Sequence, residues 1–257
     1  MNTSFISRFP PLVKNFGLGM FLLGATLALG VVLSSQAVGN AMATRTKSGQ
    51  TIRVKGVSEI SVLSDSGNWS GVVTASGNST ADAFSKLDPG VAKVQAVIKI
   101  NQFTNEETTL SSVDVTPVYM KNEKGVTLNK VDYYVAMQTI KVTSPRVNAV
   151  ADLQMKISNL LKDGIQITSG DPQYTCSVLE TVKMQLLEKA TQNGFDRAQL
   201  LAKSSGSKVG TLSSASQGVF QIVPFGSHEI SDYGMNDTSS IKKSAKAVVS
   251  LEYLIDH

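Results

Sequence analysis

The sequence predicts an α+β protein in which a transmembrane helix precedes mixed or antiparallel sheets with packed helices. Residues 15–44 carry no charge. Beyond them, segments with strand alternation and segments with helical stripes follow in blocks ββα, ββα, βα and ββ. Strands that follow each other directly in the sequence favour a mixed or antiparallel sheet, and the helices are expected to cover one face of it. We interpret the first two blocks as related ββα units, followed by a long helix and terminal strands.

The uncharged segment is long enough to span a membrane. Phe16 to Val38 supplies the roughly 20 apolar residues that cross a hydrocarbon core of ~30 Å. The sequence therefore predicts a short cytoplasmic N-terminus at 1–15, a transmembrane helix at 16–38, a linker at 39–50 and a periplasmic domain at 51–257. In this interpretation the protein crosses the bacterial inner membrane once.

A cleaved signal peptide is the alternative interpretation of the same segment. Ala41 and Ala43 form an A-x-A pattern ahead of Thr44. The apolar stretch is longer than the apolar core of a signal peptide, which has roughly 7–15 residues, and this favours an uncleaved anchor. Cleavage after Ala43 would instead release a soluble periplasmic protein.

The first block predicts a hairpin and a helix. Residues 51–65 alternate and are rich in Val and Ile, and 66–78 follow a Ser-Gly turn as the expected partner strand. Ser79 or Thr80 then caps a helix in which Pro89 is expected to cause a kink or to start a second helix. The predicted buried stripe of this helix consists of Ala83, Phe84, Leu87, Val91, Val94 and Ile98.

The second block repeats this order. Strands are predicted at 110–120 and 131–144, joined by the polar tip KNEKGVTLNK at 121–130. Pro145 then opens a helix that Gly164 closes. Its predicted inward residues are Val147, Val150, Leu153, Ile157, Leu160 and Leu161.

The last blocks contain the longest helix of the exported part. A strand is predicted at 165–175, a helix at 177–204, and strands at 208–224 and 243–255 around a Ser/Gly/Asp-rich loop at 225–240. The helix stripe consists of Leu179, Val182, Leu186, Ala190, Ala198, Leu201 and Ala202. Gly194 is expected to weaken this helix by about 1 kcal/mol relative to alanine.

The charge distribution argues against a nucleic-acid partner. The net charge of +4 comes from 24 basic and 20 acidic residues, and Arg8 and Lys14 are the only charges in residues 1–43. The remainder therefore carries +2 (22 minus 20), without the clustered Lys and Arg of a nucleic-acid surface. The single cysteine excludes a disulfide within the chain.

No set of residues has the pattern of a catalytic, cofactor-binding or metal site, so we predict a non-enzymatic protein without a cofactor. Cys176 with His228 could form a nucleophile and base, but the apolar surroundings of Cys176 favour packing. Glu106–Glu107 could form a carboxylate pair, but Thr104 with Glu107 fits a capping box. Asp171 fits turn chemistry better than a ligand role.

The stretch SSGSKVG at 204–210 superficially suggests a phosphate-binding loop. A phosphate loop follows a strand and opens a helix, whose positive end then faces the anion. Here the predicted helix comes first, so the loop would lie at its negative end. We therefore expect Gly206 to adopt a left-handed conformation after the helix, with Lys208 complementing the dipole.

Three segments resemble the SIMPL-domain family of exported bacterial proteins. Residues 51–69 contain a V-K-G-x-x-E motif and end in an aromatic residue, and residues 241–255 are similar to the closing strand of the family. The most specific segment is 170–222, which carries P-x-Y, a long helix, S-G-x-x-V-G and Q-G-V-F. The resemblance is strongest to members that have an N-terminal membrane span.

The resemblance implies an α+β domain without known catalytic residues. Some members are associated with protection against oxidative stress, and some are thought to form large ring-like or cage-like homo-oligomers. We therefore expect a membrane-anchored protein whose partners are the inner membrane and other copies of itself. The alternative is a module that binds a small molecule or stress ligand in a pocket near Asp171, Tyr174 and the loop 225–240.

Overall fold

The structure is a computed structural model that describes residues 16–47 and 50–256, with side chains described at 20–39 and 50–256. The predicted N-terminal segment 1–15 therefore lies outside the described residues. The first element is helix α1 (Phe16–Lys47). It continues beyond Val38 through most of the predicted linker, and Ala43 and Thr44 lie within it.

Helix α1 has the properties of a membrane span. Met20–Gly39 has a mean hydropathy of 1.8, and none of this window is buried against the rest of the chain. The hydroxyl groups of Thr26, Ser34 and Ser35 donate to carbonyl oxygens of the preceding turn. These hydrogen bonds matter because hydrocarbon offers no partner to a polar group. A signal sequence near the N-terminus would have the same apolar character.

The remaining elements confirm the α+β class. In chain order they are β1 (Thr51–Leu63), β2 (Ser66–Gly77), α2 (Thr80–Ile100), β3 (Thr108–Leu110), β4 (Asp114–Lys121), β5 (Thr127–Ser144), α3 (Val147–Ser158), β6 (Ile167–Ser169), β7 (Gln173–Thr175), α4 (Leu179–Ser204), β8 (Lys208–Gln217), β9 (Gln221–Pro224), β10 (Met235–Asn236) and β11 (Lys242–Asp256).

The chain divides into two compact units. The smaller unit contains residues 1–53, 198–214 and 252–257, and the larger contains 54–197 and 215–251. In the described part of the smaller unit, the ends of β1 and β11 are joined by polar contacts. Thr51 Oγ1 donates to Glu252 Oε1 over 2.7 Å.

One sheet of the larger unit carries two helices on one core. Its strand order is β3-β5-β2-β6, with β4 also paired to β5 and β7 to β2. Helices α2 and α3 pack on β2 and β5. The buried residues of this core are Trp69, Val73, Ala83, Leu87, Val91, Val94, Ile98, Phe103, Ala136, Ile140, Val142, Val150, Leu153, Ile157, Leu160, Ile165 and Ile167.

The predicted helix stripes are largely confirmed. Ser79 caps α2 by accepting a hydrogen bond from Asp82 N, and Pro89 lies inside one continuous helix. Phe84 and Leu161 were expected to be buried, but each is more than half exposed. Leu161 turns outward because the chain tightens into a 3-10 helix at Asn159–Asp163.

The second sheet packs against α4. Its order is β1-β11-β9-β10, and β8 also pairs with β11. The buried residues of this core within the larger unit are Val62, Val182, Leu186, Ile222, Ala245 and Ala247. The single strand predicted at 208–224 is interrupted between β8 and β9. Leu201, expected inward, is more than half exposed, whereas Ala198 and Ala202 are buried.

The first predicted unit has the order ββα, and the second has an additional short strand, β3, before its hairpin and helix. The first predicted hairpin is wrong. β1 and β2 belong to different sheets, and β2 pairs with β5 instead. The chain crosses between the sheets where Ser64 N donates to Ile241 O and Asp65 N donates to Thr175 O. The second predicted hairpin is confirmed, since β4 pairs with β5 around the polar tip.

The two predicted glycine caps are confirmed. Gly164 and Gly206 have φ angles of +76° and +77°. After α4, Ser207 N donates to Ala202 O over 2.9 Å and Gly206 N donates to Lys203 O over 3.2 Å. These bonds satisfy carbonyl groups at the helix end. SSGSKVG therefore ends a helix and leads into β8.

Candidate binding groove

An open groove of about 750 Å³ lies beside the start of α4 in the larger unit. Three segments line it: the first turns of α4, the connection between β8 and β9, and the end of the loop that leads to β11. The lining residues are Leu179, Glu180, Lys183, Gln217, Gly218, Val219, Phe220, Ile222, Tyr233, Gly234, Met235 and Asn236. The Q-G-V-F motif noted in the sequence therefore forms one wall.

The Q-G-V-F wall is held by backbone contacts to neighbouring segments. Gly218 N donates to Val248 O over 2.9 Å. On the opposite side, Met235 N donates to Phe220 O, and β10 pairs in parallel with β9. Gly234 has a φ of +82°, and a Cβ added there would lie 2.9 Å from Phe220 O. A glycine is therefore required where the loop meets this wall.

The loop is also fixed by one side chain of β9. Gln221 Nε2 donates to Ser231 O over 2.6 Å, and Ser231 N donates to Gln221 Oε1 over 3.3 Å. A single amide thereby pairs with both backbone groups of Ser231. Residues 231–236 are ordered against β9 by these bonds rather than by a buried apolar core.

The charges of the groove lie at the start of α4. Lys183 Nζ lies 2.7 Å from Glu180 Oε1 and 5.8 Å from the centroid of the Phe220 ring. The Lys183 ammonium can therefore interact with the ring face while it neutralises the carboxylate. The remaining walls are mainly apolar and backbone, so the groove offers packing surface and a few hydrogen-bonding groups.

A buried ion pair supports the loop just beyond the groove. Lys243 Nζ lies 3.2 Å from Asp237 Oδ2, and their side chains are 3% and 7% exposed. Asp237 also accepts from the Ser239 amide and hydroxyl and from the Ser240 hydroxyl, while Lys243 donates to Ser240 O. Burial opposes ionisation of Asp237, but these hydrogen bonds outweigh it and lower its pKa to about 2.

The expected pocket is only partly where the sequence placed it. The loop 225–240 contributes Tyr233 to Asn236 to the groove, but Asp171 and Tyr174 do not line it. Asp171 accepts a hydrogen bond from Gln154 Nε2 over 2.8 Å. Tyr174 donates its backbone amide to Thr238 O, and burial followed by the charge of Asp152 raises the pKa of its phenol.

The other candidate residues have structural surroundings. Cys176 packs against the core beneath α4, as its apolar neighbours predicted. Thr104 N donates to Glu107 Oε2 and Glu107 N donates to Thr104 Oγ1, which confirms the capping box. Among the described residues there is no cluster of metal-binding side chains.

The sequence did not reveal two partners of Glu107. Ser144 donates to its Oε1, and Arg146 Nη2 lies 3.2 Å from its Oε2. Arg146 also stacks over Phe103, with its guanidinium carbon 4.5 Å from the ring centroid. Burial raises the pKa of Glu107, but hydrogen bonds from Ser144, Thr104 and Arg146 outweigh it and hold the pKa below its usual value. This cluster joins the end of α2 to the start of α3.

A comparison with family models matches residues 52–253 to SIMPL, described as a protein of unknown function (DUF541). The matched region begins within β1 and ends within β11. A search of curated proteins finds no match to the chain.

Proposed function

The chain belongs to the SIMPL (DUF541) family, and from this premise we propose that it is a non-enzymatic, membrane-anchored protein that self-assembles into a ring-like or cage-like homo-oligomer. Helix α1 anchors it in the bacterial inner membrane, and the domain that follows faces the periplasm. The proposed role in envelope stress is based on the resemblance to family members that are associated with protection against oxidative stress. The physical mechanism of assembly is the pairing of exposed surfaces between copies.

The unprotected edge of β8 carries this proposal. All 10 residues of β8 are exposed or half-exposed. Among the described strands it pairs only with β11. Residues 209–217 contain neither a charge nor a proline. Such an edge is a template for pairing with another chain.

The other long edges are protected. β4 contains Pro117, and proline on an edge strand discourages pairing with another chain. Side chains of α4 bind the backbone of β1, because Val57 N donates to Asn193 Oδ1 and Arg197 Nη1 donates to Lys55 O. The contrast between these edges and β8 supports β8 as the strand that joins copies.

We expect electron microscopy of the detergent-purified protein to show assemblies for the wild type and dispersed chains for Ala215→Pro. Gly218 N–H points toward β11, so by strand alternation the N–H of Ala215 points toward the free edge. Proline there removes an intermolecular donor without removing a bond to β11. Ala215→Val keeps the donor and is the matched control, expected to assemble like wild type. Equal assembly of the proline variant would contradict a β8 interface.

The second candidate function is binding of a small molecule, and the groove beside α4 favours it. Its volume of about 750 Å³ lies within the usual range of ligand sites. A ligand found by thermal-shift screening of envelope metabolites is expected to lose its stabilising effect in Val219→Glu, which places a charge on the groove wall. Val57→Glu adds the same charge on β1 and should leave the effect intact. A screen without any stabilising compound would argue against this function.

A further inference from the structure

The tip of the β4–β5 hairpin stands clear of the described chain. Residues 121–130, the basic tip, are all exposed. Asn122 Oδ1 accepts from the amides of Lys124 and Val126, and Gly125 has a φ of +79°, so the turn itself is well formed. A two-stranded ribbon that packs on nothing is only marginally stable in water. The basic tip is therefore a projecting ribbon with a well-formed turn, and contact with a partner would add to its stability.

The basic tip combines positive charge with apolar side chains. Three lysines and one glutamate give it a net charge of +2 (three minus one): Lys121, Glu123, Lys124 and Lys130. Val126 and Leu128 are exposed beside them. None of the ion pairs that the structure describes includes a residue of the tip. These charges are therefore available to a partner.

A second exposed surface of the same chain has the opposite charge. Residues 225–234, the acidic loop, contain Glu229 and Asp232 but no Lys or Arg, which gives the segment a net charge of −2. Lys242 and Lys246 contact the start of the loop, at the Phe225 ring and the Ser227 carbonyl, whereas none of the ion pairs that the structure describes includes Glu229 or Asp232. Ile230 and Tyr233 are 82% and 98% exposed. The loop is held in place by the bonds between Gln221 and Ser231. Exposed large apolar side chains on an ordered loop mark an interaction surface.

We propose that the basic tip of one copy docks on the acidic loop of a neighbouring copy. This inference rests on the self-assembly proposed above and names a contact that would order it. The two surfaces match in charge and both expose apolar side chains, so electrostatic attraction guides the encounter and apolar contact holds it. Because two different surfaces meet, the contact is heterologous, and successive copies form a closed ring or an open filament.

Charge reversal tests the docking in the full-length protein in detergent at low salt. The tip variant carries Lys121→Glu, Lys124→Glu and Lys130→Glu, and the loop variant carries Glu229→Lys and Asp232→Lys. Each alone should reduce the assembled fraction at least tenfold, because like charges then face each other. An equal mixture should assemble again, since reversed tips meet reversed loops and native tips meet native loops in alternation. The control carries Lys93→Glu, Lys162→Glu and Lys189→Glu, the same charge change on exposed residues elsewhere.

Cross-linking supplies a second measurement that does not depend on the reversed charges. A Cys176→Ala chain with Val126→Cys and Ile230→Cys should form covalent ladders under mild oxidation, whereas each single cysteine variant should give at most dimers. Ladders from the double variant, together with restored assembly in the mixture, support the docking. Reversal variants that assemble like wild type, or a mixture that stays dispersed, overturn it. If the docking is overturned but the wild type still assembles, the proposed self-assembly is retained. A monomeric wild type refutes both the docking and the self-assembly.

Discussion

Gly56→Ala is expected to lower the free energy of unfolding by about 3 kcal/mol or more, the upper range for overpacking a well-packed contact. A Cβ at Gly56 would overlap the carbonyl oxygen of Ala190 and lie 2.7 Å from Gly194 N. Both atoms belong to the backbone of α4, which cannot rotate away as a side chain could. The helix must therefore move away from β1 or the strand must bend.

The contact at Gly56 is a crossing of two glycines, one on each element. A Cβ at Gly194 would lie 3.3 Å from Gly56 Cα and 2.6 Å from the end of Leu251. Close approach also lets Ser58 Oγ donate to Leu186 O over 2.7 Å. Displacing α4 would also lengthen this bond, the bond that Asn193 Oδ1 accepts from Val57 N and the bond that Arg197 donates to Lys55 O. The cost of Gly56→Ala therefore includes lost hydrogen bonds as well as overlap.

Urea unfolding followed by circular dichroism measures this effect. Val57→Ala is the control, since Val57 is the next residue of β1 and its side chain is exposed. Gly194→Ala is expected to be destabilising too, although alanine favours a helix by about 1 kcal/mol. Its effect should be the smaller of the two, because Leu251 is a side chain that can adjust. If Gly56→Ala were as stable as the wild type, β1 and α4 would not cross as closely as the structure shows.

Asp237→Asn is expected to destabilise the protein by about 3–5 kcal/mol, because it leaves the buried Lys243 ammonium without its counter-ion. The matched control is Asp232→Asn, which removes an exposed carboxylate from the same loop and should change stability by less than about 0.5 kcal/mol. Adding Lys243→Met to Asp237→Asn should recover part of the loss, since the unpaired charge disappears. Equal stability of Asp237→Asn and wild type would contradict a buried pair.

The same pair predicts a pH dependence. The pKa of Asp237 falls from 3.8 to about 2 on folding, so its ionised form favours the native state. This contribution is complete above pH ~4 and is lost as the pH falls toward ~2; it amounts to about 2 kcal/mol. The stability difference between wild type and Asp237→Asn should therefore shrink over that interval. A difference that stays constant from pH 5 to pH 2 would contradict the assigned pKa.

Local signals in the sequence predicted local features well. The cap at Ser79, the capping box at Thr104 and Glu107, and the left-handed glycines at 164 and 206 all follow from short-range hydrogen bonding. The buried stripes were also visible, because helical periodicity is a property of the segment itself. Exceptions such as Leu161 occur where the helix changes type.

Long-range features were not predictable from these signals. β1 and β2 are separated by two residues, yet they lie in different sheets because β1 pairs with β11 near the opposite end of the chain. Gly194 looked like a weak point of α4, whereas the crossing with Gly56 requires it. Helix propensity alone predicts that alanine at position 194 would be stabilising. We expect the opposite effect, because Gly56, which Gly194 contacts, lies far away in sequence.

The candidate groove shows the same limit. The loop 225–240 was expected to contribute to a pocket because of its composition, and Tyr233 to Asn236 do so. The contact between Lys183 and Phe220 was not foreseen, since the intervening chain includes most of α4 and all of β8. No short sequence motif predicts a contact between two residues so far apart in the chain. Lys183 and Phe220 come together only because α4 packs on the second sheet.

The native mass of the full-length protein in detergent tests self-assembly most directly. Sedimentation velocity at micromolar concentration, corrected for bound detergent, is expected to give a large homo-oligomer of the 27.3 kDa chain. The oligomer should persist over a tenfold dilution. A single species with the mass of one chain at every concentration would contradict the proposed function.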